Sequence, residues 1–166
     1  MSSSQPLPGS TQPLGRRIPQ RAWLVINSFM RVLLGLPFPT PLGKRLMLVN
    51  VTGRKTGRRY RQPVSYVRHN GTLLTPGGGN WKRNLVPGRP VLLRINGHHQ
   101  TATPEIVTDP DTTADLLAAM ITANPAVSRF SGIRPDASGR PDPGQLHQAL
   151  SHGFAIIRWH LQEADC

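Results

Sequence analysis

Through the middle of the chain, apolar and polar positions alternate in short runs; on either side they recur at helical spacing. "KRLMLVNVT", "QPVSYVRH", "GTLLTP", "RPVLLRING" and "HQTATPEIVTD" are rich in Val, Leu, Ile, Thr or Tyr and are bounded by Gly, Pro and Asn, so each reads as a strand. The second and third join across His69-Asn70-Gly71, which has the Asn-Gly chemistry of a tight hairpin, and the last two join near Gly97. The pattern predicts an antiparallel meander, and the closing "FAIIRWHL" predicts a last strand that returns to the sheet. "GGGNWKRNLVPG" between the third and fourth strands is too short for more than a helical turn or two.

Helical spacing appears twice. "IPQRAWLVINSFMRVLLGLPFPTPLG" predicts a helix from Pro19, with a wide apolar arc and a stop at Gly35 and Pro37. Such a helix either packs on its own domain or lies as a cationic interfacial helix on a membrane or at a dimer contact. "DPDTTADLLAAMITANP" predicts a second helix, capped by Asp109 or Asp111 and stopped at Asn124-Pro125. "SGIRPDASGRPDPGQ" reads as a long polar loop. Strands first and helices late argue for an α+β fold, a small barrel or half-open sheet, and against a doubly wound nucleotide fold. The expected organisation is a disordered leader over 1–18, an amphipathic helix over 19–36 and a barrel domain over 43–166.

Composition sharpens this picture through its distribution. The chain has 166 residues, the size of one domain, and a net charge of +12. Residues 1–103 hold 16 Lys and Arg with no acid, while residues 104–166 hold 4 Arg against all 8 carboxylates. That asymmetry points to an anionic partner for the first part. Its densest stretch, "TGRKTGRRYRQP", places Arg54, Lys55, Arg58, Arg59 and Arg61 within one turn and its flank. The lone Cys166 leaves no disulfide or thiolate site within one copy and suits a reducing cytoplasm. No apolar run is long enough to span a bilayer.

Several chemistries drop out on motif grounds. Gly43-Lys44 lacks the first Gly and the hydroxyl of a Walker loop, and the glycine run has neither the helix nor the distant acid of a dinucleotide fingerprint. The six His show no helical metal spacing, so no metal is expected. Asp109, Asp111 and Asp115 belong to a helix start, which leaves no carboxylate pair for hydrolysis. Aromatics are too sparse around the basic cluster for single-strand stacking, so no nucleic-acid partner is expected. What remains is the basic turn and the run Gly77-Gly78-Gly79 with Asn80 and Trp81. Backbone N–H groups at three glycines approach an anion closely, the cations supply charge-assisted bonds, and Trp81 adds a flat wall.

Around these two features, "LMLVNVTGRKTGRRYRQPVSYVRHNGTLLTPGGGNWKRNLVPGRPVLLRINGHHQTATP" resembles the deazaflavin-dependent nitroreductase and quinone-reductase family of actinobacteria, in its T-G-R-K-[ST]-G turn, the following Pro and the W-x-x-N-L after a glycine-rich bend. The resemblance implies a split β-barrel related to flavin reductases and pyridoxamine-phosphate oxidases. It implies hydride transfer from reduced coenzyme F420, which carries a phosphate and an oligoglutamate tail, to an electron-poor small-molecule acceptor: a quinone, enone or nitro compound. By the same resemblance Arg54, Lys55, Thr56 and Arg58 hold the phosphate and tail, and Gln62 and Pro63 begin the strand beside the ring. Gly77, Gly78, Gly79 and Asn80 offer amides, and Trp81 and Asn84 shape the pocket. Ser65, Tyr66 and Thr75 are the candidate catalytic hydroxyls. Relatives that reduce nitro compounds place tyrosines over the substrate after the late helix, where this chain has only Phe130, so its acceptor pocket is expected to differ. FMN stands as the alternative cofactor, and a barrel that holds a flavin, haem or lipid without turnover as the alternative function. Peripheral membrane contact through residues 19–36, a cytoplasmic location and a homodimer are compatible with the resemblance.

Overall fold

The computed structural model describes residues 45–77 and 79–162. The expected leader, the 19–36 helix and Gly78 lie outside the described residues. Seven strands form one antiparallel sheet: β1 (Leu46–Thr52), β2 (Arg59–Ser65), β3 (Val67–His69), β4 (Thr72–Gly77), β5 (Val91–Ile95), β6 (His98–Val107) and β7 (Ala155–Leu161). Three helices, α1 (Pro110–Ala123), α2 (Ala126–Ser131) and α3 (Pro143–Ser151), fall between β6 and β7. A 3-10 turn, Asn80–Asn84, separates β4 from β5.

The strand order is β2-β1-β5-β6-β7-β4-β3, so the expected meander gives way to hairpins joined by non-sequential neighbours. Two hairpins turn on Asn-Gly: Asn70 and Gly71 at φ 45° and 75°, and Asn96 and Gly97 at φ 49° and 86°. The expected strand over 62–69 is in fact two. β2 starts earlier, at Arg59, and β3 resumes after Tyr66. These two strands stand at opposite ends of the sheet order yet are separated by one residue, so the sheet must curl until its edges approach each other. β2 and β4 accordingly touch. This is a curled half-barrel with helices, the expected α+β split-barrel architecture, and the curl protects edges that a flat sheet would expose.

Adjacent apolar residues within a strand serve opposite faces. Leu73, Ile157 and Trp159 fill the barrel interior with Met47, Val49 and Leu93, whereas Leu74 and Ile156 point outward beneath Leu117, Met120 and Ile133 of the helical layer. Doublets such as Leu73-Leu74 and Ile156-Ile157 therefore bury both members, each worth about 1.5–3 kcal/mol in burial alone. The helix over 110–123 forms as expected, with Asp109 as its cap accepting from Thr112 N at 2.9 Å. The expected polar loop over 131–145 is broken: α2 precedes it, and α3 begins inside it at Pro143, capped by Asp142.

Candidate functional site

The basic turn sits where the β1–β2 ladder ends. Thr52 pairs with Arg59, and the six residues between close on themselves through Gly53 N to Arg58 O (2.9 Å) and Gly57 N to Gly53 O (2.8 Å). Thr56 Oγ1 accepts weakly from Arg58 N at 3.4 Å, which leaves its O–H proton available as a donor. Arg54, Lys55, Thr56 and Arg58 are exposed.

This turn is fastened to the bend that follows β4. Arg54 N donates to Asn84 Oδ1 at 3.1 Å, and Arg54 Nη1 donates to Arg83 O at 2.9 Å. Asn84 Nδ2 in turn donates to the Tyr60 hydroxyl at 2.7 Å, tying the bend to β2. Asn84 therefore bridges turn, bend and strand, while half-buried Trp81 packs on the barrel core. Lys82 closes the bend from the other end: its Nζ donates to Gly77 O at 2.7 Å and to Gly153 O. Burial, reinforced by the neighbouring Arg83 charge, lowers the Lys82 pKa below its ordinary value.

The predicted residues divide by role. Gly77 lies in the ladder opposite Ala155, where a Cβ would come within 2.7 Å of Ala155 O, so glycine is required there by the close approach of β7. Gly79 and Asn80 are exposed at the start of the 3-10 turn. Register places Gln62 on the inner face, with Tyr60, opposite Val49 and Val51; its Nε2 donates to Pro63 O at 3.2 Å. Pro63 itself is tolerated because β2 ends the strand order.

The three hydroxyls are not gathered at the turn. Ser65 pairs with Leu46 at the far end of the β1–β2 ladder, about 20 Å from the basic turn at strand rise. Tyr66 follows it and is buried; desolvation raises its pKa, with the Arg68 charge and hydrogen bond pulling the other way. Thr75 is wholly buried and its Oγ1 accepts from Trp159 Nε1 at 3.1 Å. Thr75 thus belongs to the packed interior.

Residues beyond the expected site set complete the region. The β1–β5 ladder stops at Val49↔Leu93, and beyond it Asn50 Nδ2 donates to Leu92 O at 2.9 Å. Where the strands part, a cleft of about 840 Å³ opens between the basic turn and Val86–Leu92, lined also by Asn84 and by Arg54, Arg59 and Arg89. Alternation along β2 was the available signal for Arg59, and the Pro-Gly turn for Arg89. The ion pairs among the described residues are Arg140–Asp115, Arg158–Glu105 and His160–Glu105, none of which reaches this region. Clustered guanidinium and ammonium groups without carboxylates suit an anion.

A family model described as F420H(2)-dependent quinone reductase matches residues 26–133, a span that holds the turn, the bend, β1 to β6 and the first two helices. No curated protein matches the chain.

Proposed function

The chain belongs to the F420H(2)-dependent quinone reductase family, and is an oxidoreductase using coenzyme F420; from this premise we propose that the basic turn holds the cofactor's phosphate and that the acceptor is a quinone or a similarly electron-poor enone or nitro compound. The donor set fits an anion. Lys55, Arg58 and the Thr56 hydroxyl are exposed on one closed turn, with no carboxylate paired to them among the described ion pairs. Arg54 contributes its remaining guanidinium N–H groups, since Nη1 is already engaged with Arg83 O. Charge-assisted bonds of this kind contribute about 1.5–3 kcal/mol each.

When bound, reduced F420 supplies the hydride. The chain's own work is orientation and exclusion of water. Gly79 and Asn80 offer exposed backbone, Gln62 and Pro63 border the ring from β2, and Trp81 and Asn84 hold the bend in place. Gly77 lets β4 run close against β7 before the chain turns. Ser65 and Tyr66, at the other end of the ladder, remain candidates to contact the acceptor or donate a proton. Thr75 acts from the interior, by fixing Trp159.

The observation that carries this reading is the fastening of turn to bend through Arg54, Asn84 and Arg83, which makes one rigid surface of two segments about 30 residues apart. Titration of F420 fluorescence with the purified protein tests it. Lys55→Ala and Arg58→Ala should each weaken binding roughly tenfold, corresponding to ~1.4 kcal/mol, with unchanged thermal unfolding. Unchanged affinity in both variants, or no binding by folded wild-type protein at concentrations on the order of tens of micromolar, would remove the proposal.

The described residues include no helix long and apolar enough to cross a membrane. The expected peripheral contact through residues 19–36 lies outside the described residues.

A further inference from the structure

The glycine run before the bend is the part of the site least able to hold its own shape. Gly77-Gly78-Gly79 offers no side chain to pack, and glycine loses more backbone freedom on ordering than any other residue. The 3-10 turn that follows starts at Gly79, φ 91°, with no side-chain cap. Its anchors lie further on. Asn84 and the Arg83 carbonyl fasten it to Arg54 and Tyr60, on the β1–β2 side. Half-buried Lys82 fastens it on the other side: Nζ donates to Gly77 O, five positions back, and so closes a ring of chain over the glycine run. Leu85 N donates to Lys82 O at 3.0 Å, which keeps Lys82 and Asn84 in one closed turn.

The second acceptor of Lys82 ties that ring to a distant element. Gly153, at φ 85°, ends α3 in a Schellman motif, in which Gly153 N donates to Leu150 O and Phe154 N to Ala149 O, both at 2.9 Å. The N–H groups on either side of the Gly153 carbonyl are thus engaged in holding it, and its oxygen accepts from Lys82 Nζ. An ammonium also suits the negative end of α3. Buried Phe154 and Ala155 carry the chain from there into β7, which pairs with β4 at Gly77↔Ala155. Lys82 therefore joins the bend, the end of β4 and the α3–β7 junction, in the half of the sheet opposite the basic turn.

We infer that Lys82 is a positioning residue for hydride transfer: it sets the bend, and with it the Gly79 and Asn80 backbone, against the cofactor ring. The inference rests on the cofactor reading above and adds a division of roles to it, in which the basic turn governs affinity and Lys82 governs rate. In net terms one hydride and one proton leave the reduced cofactor and reach the quinone, giving the hydroquinone. The phosphate contacts do not pass through Lys82, so its loss loosens the ring end of the site and leaves the phosphate end in place.

Two variants of the full chain test this. Lys82→Met keeps the stem and removes the donors, and Lys82→Arg keeps a charged donor. Without cofactor, amide hydrogen exchange at Gly79 and Asn80 should quicken about tenfold in Lys82→Met and stay within about threefold of wild type in Lys82→Arg. Fluorescence titration with F420 should give Lys82→Met a dissociation constant within about threefold of wild type, while its single-turnover rate of hydride transfer to a water-soluble benzoquinone falls about tenfold. Lys82→Arg should recover most of that rate. Should Lys82→Met fail to fold, Lys82→Gln, with a shorter stem and no charge, is measured in its place and the same outcomes decide. Wild-type exchange and wild-type rate would overturn the inference, as would a loss of affinity as large as the loss of rate; in either case the basic turn's role stands. If folded wild-type protein binds no F420, the cofactor reading falls and the rate role of Lys82 with it.

Discussion

Thr75 and Trp159 are 84 positions apart, yet the hydroxyl of one is the hydrogen-bond acceptor for the indole of the other inside a closed apolar interior. A buried indole N–H without an acceptor is expensive, so this pair explains a hydroxyl in the middle of "LLTPG" without invoking chemistry on a substrate. Thr75→Val keeps the shape and removes the acceptor. It should destabilise the protein by about 1–3 kcal/mol in urea unfolding, and an unchanged midpoint would show that Trp159 finds another partner. Asn84 illustrates the same scale at the surface. Its carboxamide oxygen serves the Arg54 amide while its nitrogen serves Tyr60, so one side chain satisfies groups on two elements at once. The W-x-x-N-L pattern made Asn84 visible in the sequence, but only coordinates show that it is a bridge between turn and strand.

At the scale of elements, the two long late helices begin with the same device. Asp109-Pro110 and Asp142-Pro143 each place a carboxylate before a proline at the first helical position, and each carboxylate accepts from a backbone N–H three residues on. The first was legible because a long apolar pattern followed it. The second was masked by Gly144 and by the short run "QLHQALS", in which only Leu146 is buried, so α3 read as loop. Removing its cap by Asp142→Ala should cost about 1 kcal/mol and lower the thermal midpoint by a few degrees. No change would mean that packing of Leu146 and its neighbours holds α3 without the cap. Strand boundaries show a similar effect. Arg59 and Arg61 looked like part of a basic turn, yet they occupy the exposed positions of β2 while Tyr60 and Gln62 face inward, so the turn proper ends at Arg58.

The whole molecule depends on its last strand. β7 lies between β6 and β4, and without it the β3–β4 hairpin has no ladder to the rest of the sheet. Ile156, Ile157 and Trp159, all fully buried, span both faces of the sheet at that point. A chain ending at Gly153 should therefore show no cooperative thermal transition by near-ultraviolet circular dichroism; a sharp transition would mean that the barrel closes without β7. The bend beside the candidate site would be affected as well, because the Gly153 carbonyl that Lys82 reaches is held in place by the strand it leads into. The charge distribution follows the same division. Among the described residues Asp115 of α1 pairs with Arg140 and Glu105 of β6 pairs with Arg158 and His160, whereas Lys55 and Arg58 of the basic turn are exposed and enter no ion pair.

Local chemistry in the sequence by itself determined the strands, the Asn-Gly hairpin at Asn70, the capped helix at Asp109 and the basic turn beside a glycine-rich bend, because alternation, turn residues and capping act between near neighbours along the chain. It also determined the family likeness, since the turn and the bend are contiguous motifs. Strand order, the curl forced by the single residue Tyr66 between two edge strands, the interior place of Thr75 and the cleft joining Arg54, Arg59 and Arg89 were decided only by the tertiary structure. Each of those depends on which distant segments pair, and pairing is selected by the fit of whole apolar faces, which no short window of sequence contains.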